Sequence, residues 1–341
     1  MTGRSATGGR TPTGRPATGG RTPTGRSAKG GRTATGRPAT GGRRTTGPTA
    51  AGGTARAWAE LLRVSALLSV PGDALAGAAA TGTRPGRGTL RAIGASLCLY
   101  EAGMALNDWA DRHEDARDRP HRPLPSGRVT AGAALAASAA LTLAGLGLAS
   151  RAGRPALATA TALATTVWAY DLGLKHTPAG PAAMATARAL DLLLGALAST
   201  TPTPRPFLHA ARALPSAALL AAHTYAVTAV SRHETRGGST RTPLAALAVT
   251  LAVAGATSGT GKNPLGPLPA LAYARTPATL LLHAALNPSA ALTERAVGGG
   301  IRATIPLQAA LAARGGAPGT ALALLGLVPA ARALARKVSP T

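Results

Sequence analysis

The sequence predicts an all-α fold, a polytopic bundle of membrane-spanning helices. Three observations carry this. The chain is 45% hydrophobic and only 14% charged, whereas soluble domains are about a quarter charged. Beyond residue 60, apolar runs of about 17–22 residues recur between short polar loops, the length at which a helix crosses a bilayer. Those runs lack the polar face that a helix on a soluble core presents to water.

The elements follow in chain order. Residues 1–56 form a basic tail in which Thr-Gly-Arg recurs at Thr2, Thr13, Thr24 and Thr35. A repeat of Gly, Thr, Pro and Arg with no apolar face cannot offset the entropy of ordering, so disorder is expected. The tail also lacks the apolar core of a signal peptide. It reads either as a tether to anionic lipid or as a low-complexity extension with no specific role. Residues 57–341 read as one membrane domain. Spans are expected near 62–82, 89–108, 129–150, 155–172, 180–199, 212–231, 242–258, 266–286, 297–313 and 318–335, and eight to ten of these cross. The segment at 297–313 is short and contains Arg302 and Pro306, so it also reads as re-entrant or interfacial.

Basic residues orient the bundle. Arg112, Arg117, Arg119, Arg122 and Arg128 follow the second span, Lys175 the fourth, and Arg232, Arg236 and Arg241 the sixth. They share one side with the tail, which makes that side cytoplasmic. Arg84, Arg87 and Arg91 lie on the other side and weaken the bias. The net charge of +25 suits anionic lipid surfaces. Nucleic acid is not an expected partner: the charge sits in the tail and in loops beside spans, and three Trp, four Tyr and one Phe are too few for stacking platforms. The single cysteine, Cys98, can form no intramolecular disulfide.

Polar chemistry concentrates in NDWADRHEDARDRPHRPLPSGR, Asn107 to Arg128. Asp108, Asp111, Glu114, Asp115 and Asp118 are five of the 12 acidic residues of the chain. On a helix continuing from the second span, Asn107, Asp111 and Asp115 stack on one face, and Asp118 returns to nearly the same azimuth. Carboxylates four residues apart repel. An oxygen-only donor set suits a hard cation such as Mg2+, which keeps waters and bridges to substrate phosphates. The competing reading is a solvated helix end whose acids pair with Arg112, Arg117 and Arg119. Arg119, Arg122 and Arg128 on the following Pro/Gly-rich turn make a diphosphate clamp beside the stripe, or serve topology alone.

These residues resemble a family. NDWADRHED fits the NDxxDxxxD signature of UbiA-type membrane prenyltransferases, and RPHRPLPSGRV resembles the segment that follows it there. RVSALLSVPGDALAGA (Arg63–Ala78) resembles the first span of that family, YDLGLK (Tyr170–Lys175) its motif after the fourth span, and RALDLLLG (Arg188–Gly195) its fifth span. The closing stretch AVGGGIRATIPLQAALAARGG is similar to the EboC-like branch. The resemblance covers roughly residues 60–341. It implies about nine helices around a central cavity open at the cytoplasmic face, with Mg2+ and a polyprenyl diphosphate held there. Asn107, Asp111 and Asp115 match the first metal motif and Asp108 its second position. Asp171 and Lys175 match the fourth-span motif, with Lys175 a diphosphate contact. The second Asp-rich motif is altered: Tyr225–Gly238 offers only Glu234 as a carboxylate, and Arg232 stands where it could neutralise diphosphate in place of a cation.

Other candidates lie deeper. Tyr100 is two turns before Asn107, and Trp168 and Tyr170 border the other motif. Their ring faces could stabilise an allylic cation or anchor the protein at the membrane interface. Arg188 and Asp191, three apart in the fifth span, are expected to pair with each other or to touch substrate. His223 reads as a packed, hydrogen-bonded histidine. The expected activity is a Mg2+-dependent transfer of an isoprenoid chain from a polyprenyl diphosphate to a small-molecule or lipid acceptor, by a multi-pass protein of the cell membrane. Asp108, Asp171, Lys175 and Tyr100 are the expected catalytic residues. A second reading is a non-catalytic membrane component, for transport or assembly, on the same fold.

Overall fold

The computed structural model describes residues 50–200, 205–234, 237–258, 265 and 267–338. The Thr-Gly-Arg repeats fall outside these described residues. All regular structure among them is helical, and the Ala/Leu runs become helices bounded by the residues that stop them. Helix α1 spans Ala50–Leu61, so residues 50–56, expected within the disordered tail, are helical. Ala57 and Leu61 are fully buried and pack with Ala105, Val129 and Ala134, which anchors this end of α1.

The first expected span is broken. A 3₁₀ stretch at Val64–Ser69 is followed by α2, Pro71–Ala80. Proline lacks the N–H that would continue the preceding turn but suits a first helical turn, so the break falls at Pro71. Arg63, just before the 3₁₀ stretch, has φ 48 and ψ 46, a left-handed conformation that is sparsely populated away from glycine. Helix α3, Arg87–Ala110, starts where the Gly86 amide donates to Thr89 Oγ1 at 3.1 Å. The short α4, Arg112–Asp118, follows after a break at Asp111. Helix α5, Ala131–Ala152, is capped by Thr130, whose hydroxyl accepts from the Ala133 amide at 3.2 Å, satisfying one of the free amides of a helix start. Gly153, at φ 117, turns the chain into α6, Arg154–Leu172. Then come α7, Gly180–Ser199; α8, Pro206–Ser231; α9, Arg241–Ser258; α10, Leu268–Leu286; α11, Ala290–Arg314; and α12, Pro318–Val338.

Helix α7 is central, packed on α2, α3, α6 and α8. More than half of its apolar window is buried, against 17% for the more apolar α5, so α5 faces outward. Among the described helices, α5, α7 and α8 are long and apolar enough to cross a membrane. The sequence led us to expect more such helices. Polar side chains dilute several: α3 carries Glu101, Asn107 and Asp108, and α11 carries Glu294, Arg302 and Gln308. The segment expected near 297–313 belongs to one 25-residue helix whose Leu307, Gln308 and Leu311 are fully buried. It is a core helix and not a re-entrant hairpin.

Candidate active site

Helices α3, α6 and α7 enclose a cavity of about 520 Å³. Its walls are apolar, with Leu99, Met104, Val167 and Met184 prominent, and its mouth is polar, with Asn107, Arg119, Asp171 and Glu234. The mouth forms because α3 and α6 end on the same side. Asn107 Nδ2 donates to Asp171 Oδ1 at 3.1 Å, and Lys175 Nζ lies 2.5 Å from Asp111 Oδ1. Two motifs 64 residues apart thus meet at one opening. Gly103 is needed there, since a Cβ would come within 2.9 Å of Val167 and 3.8 Å of Asp171 Oδ2.

The expected stripe of acids is bent. Asp111 is the hinge between α3 and α4, yet the i to i−4 hydrogen bonds run through it, Asp111 to Asn107 at 2.9 Å and Asp115 to Asp111 at 2.8 Å. Asp115 is buried, Asp111 half-buried and Asp118 exposed, so Asp118 stands apart from the site. Cationic side chains hold the buried acids. Arg122 Nη1 is 2.7 Å from Asp115 Oδ2, and Arg119 reaches Asp115 Oδ1 at 3.5 Å. Asp108, also buried, meets Arg63 at 3.5 Å and Arg122 at 3.8 Å. Its Oδ1 has these ion pairs but no hydrogen bond, so it retains acceptor capacity. Asp111, Glu114 and His176 bring donor atoms within 4.8 Å of one another. An acid-rich mouth with spare oxygen capacity fits an oxygen-seeking dication such as Mg2+.

Two expected contacts lie elsewhere. Arg128 is held outside the cavity by Glu60, at 2.7 and 3.2 Å, and by the His121 carbonyl at 2.6 Å. Arg232 is exposed and donates to the Thr177 carbonyl; it does not line the cavity. Glu234 does line it. Burial, and then the nearby Glu294, push the Glu234 carboxyl above the ordinary glutamate range, while Arg119 pulls it back. Tyr100 and Tyr170 both line the cavity, whereas Trp168 donates to Thr142 Oγ1 at 3.2 Å.

The sequence did not single out Arg63 as a site residue. It lines the cavity mouth and pairs with Asp108, and its left-handed backbone is the feature that marks it. The expected Arg188–Asp191 pair is replaced by longer-range partners. Arg188 pairs with the fully buried Asp73 of α2, Nη1 to Oδ2 at 2.9 Å, and Gln308 of α11 donates to Asp73 Oδ1 at 2.7 Å. Asp191 instead accepts from the Ser96 hydroxyl of α3. Local i,i+3 spacing lost to an oppositely charged group from another helix. His223 is packed as expected, with Nδ1 3.0 Å from Tyr273 Oη and Nε2 3.2 Å from the Gly300 carbonyl.

Residues 65–288 match the model of the UbiA prenyltransferase family. The chain is 37% identical over 121 residues to a digeranylgeranylglyceryl phosphate synthase of Methanothrix thermoacetophila, covering 35% of this chain and 45% of the relative. It is 34% identical over 145 residues to the enzyme of that name from Korarchaeum cryptofilum, covering 42% and 51%. The chain thus spans about half the length of these curated relatives. A solved structure of a UbiA homolog from Aeropyrum pernix K1 superposes with a TM-score of 0.59 at 16% identity, over 72% of this chain and 96% of that one; at that identity the likeness concerns the fold.

Proposed function

The chain belongs to the UbiA prenyltransferase family, and from that premise we propose that it is an integral membrane prenyltransferase which moves an isoprenoid chain from its diphosphate to a small-molecule or lipid acceptor. One observation carries the reading: the Asn107–Asp171 hydrogen bond and the Lys175–Asp111 ion pair join two polar motifs at the mouth of an otherwise apolar cavity. A diphosphate ester with a hydrocarbon tail matches that division.

Asp111 and Asp115 would hold Mg2+, with Asn107, Glu114, His176 and Glu234 as further donors. When bound, Mg2+ neutralises charge on the departing diphosphate. Arg63, Arg119, Arg122 and Lys175 bind the same oxygens, exchanging their present carboxylate partners for phosphate. The allylic C–O bond breaks, diphosphate leaves, and the acceptor's nucleophilic atom bonds to the freed carbon. Tyr100 and Tyr170 face the developing cation. Leu99, Met104 and Val167 keep water from it. Asp171 takes the proton that the acceptor releases. The basic loops orient this mouth to the cytoplasm, and anionic lipid surrounds it.

The test is Mg2+-dependent release of diphosphate by the purified protein in detergent. Asp111→Ala and Asp115→Ala are each expected to lower the rate by about 100-fold or more, as for loss of a group that stabilises leaving charge. Unchanged release in both variants would remove the metal assignment.

A further inference from the structure

Resting on that reading, we propose that Ser96, Arg188 and Asp191 form a polar floor that limits the donor to isoprenoid diphosphates of about three isoprene units. All three residues line the cavity. Ser96 lies eleven residues before Asn107 on α3, which puts the floor about 16 Å below the mouth at 1.5 Å per residue. Asp191 lies eleven residues into α7 from its start at Gly180, at matching depth, because α7 runs antiparallel to α3. The Ser96–Asp191 hydrogen bond bridges the two helices there.

The floor is anchored from behind. Asp73 is fully buried, holds Arg188 and is itself held by Gln308. Gln308 also donates to the Ser69 carbonyl at 2.7 Å. Four helices therefore converge on one ionic node in a chain that is poor in acidic residues, and intramembrane ionisable groups mark substrate paths more often than packing. Below the node the bundle closes. Thr89 and Ser199 hydrogen-bond across α3 and α7 at 2.7 Å. Gly88 leaves no space for a Cβ against the Ala198 carbonyl, nor Gly77 against the Leu192 carbonyl.

A hydrocarbon chain entering from the mouth meets apolar walls and then this floor. An extended isoprene unit adds four carbon–carbon steps, about 5 Å, so about three units fill the depth. A fourth would have to break the Ser96–Asp191 hydrogen bond that ties α3 to α7 and leave both buried groups without a partner, which is unfavourable. The floor can be altered without stranding a charge, since Arg188 keeps Asp73 when Asp191 is replaced.

The experiment is a binding series on the full chain in lipid nanodiscs with Mg2+, by calorimetry, using the unreactive thiolodiphosphates of geranyl, farnesyl and geranylgeranyl. Farnesyl is expected to bind at least about tenfold more tightly than geranylgeranyl, a discrimination in the range pocket fit can supply. The double variant Ser96→Ala/Asp191→Leu is expected to bring geranylgeranyl within about threefold of farnesyl, as loss of the hydrogen-bonded bridge between α3 and α7 removes the polar barrier. Asp191→Asn, which keeps size and polarity, is expected to retain the wild-type preference and checks the site if the double variant fails to fold. Equal affinity of the wild type for farnesyl and geranylgeranyl overturns the floor and leaves the prenyl-diphosphate reading standing. A well-folded double variant with unchanged preference also overturns it. No binding of any of the three compounds overturns the prenyl-diphosphate reading, and the floor with it.

Discussion

Two arginines on the same turn, Arg122 and Arg128, show how environment separates residues of one type. Arg122 serves two buried carboxylates, Asp115 and Asp108. Arg128 faces Glu60 in a pair that is 38% exposed on both sides. Removing Arg122 takes the 2.7 Å partner from buried Asp115 and leaves the acids only Arg119 and Arg63, each at 3.5 Å, so Arg122→Ala is expected to cost about 1–3 kcal/mol. Arg128→Ala removes a solvent-screened pair and is expected to cost about 0–1 kcal/mol. Thermal midpoints of the two variants in the same detergent check this; equal losses would mean that burial of the acids is not what matters. The sequence could not separate these residues. Glu60 lies 68 positions from Arg128, and nothing local announces it. Arg63 was hidden for a related reason, since its role depends on a backbone turn at the start of the broken first span. The Asn107, Asp111, Asp115 set was legible because it is local: one helical repeat fixes it, and the bend at Asp111 keeps the hydrogen-bond ladder.

At the level of elements, the contact of α2 with α7 is set by glycine. Gly77 and Gly195 let the two backbones approach until a Cβ on either would strike the other helix. Gly77→Ala is therefore expected to push the helices apart and to cost about 1–3 kcal/mol, as overpacking does. Gly147, on the outward face of α5, has nothing within 4 Å of an added Cβ, so Gly147→Ala is expected to raise stability by about 0.5–1 kcal/mol through helix propensity. Opposite signs in the two thermal midpoints bear this out, and a loss at Gly147 would show that α5 meets a partner there. Most helix positions were readable from apolar run length and from Pro and Gly at their ends. The break at Pro71 and the length of α11 were not. A proline is tolerated in a first turn and within a long helix alike, and α11 gains its burial from neighbours that a single run does not reveal.

For the whole molecule, the described fold starts at Ala50, and α1 is tied down by Ala57, Leu61 and the Glu60–Arg128 pair. A chain lacking residues 1–49 is expected to insert in membranes and to match the intact protein in thermal midpoint and diphosphate release. A chain lacking residues 1–61 is expected to lose stability, because it uncovers Ala105, Val129 and Ala134. Membrane fractionation and melting of both truncations check the boundary, and a defect in the shorter deletion would give the tail a role in the fold. Helical class and membrane character were plain in the composition. Which polar residues form the cavity floor and its support was not, because Asp73, Ser96, Arg188 and Gln308 come from four helices and meet only when the bundle closes.

The close approach of α2, α3 and α7 also bears on how such a protein can change over time. Where backbones touch through Gly77, Gly88 and Gly195, a Cβ would strike the facing helix, and these contacts are frozen in sequence space. The walls above it are held by Leu99, Met104, Val167 and Met184, whose side chains can be exchanged one at a time for other apolar ones of similar volume. Diversification among descendants of this chain should therefore accumulate around the wall, with the glycine-bound base inherited intact.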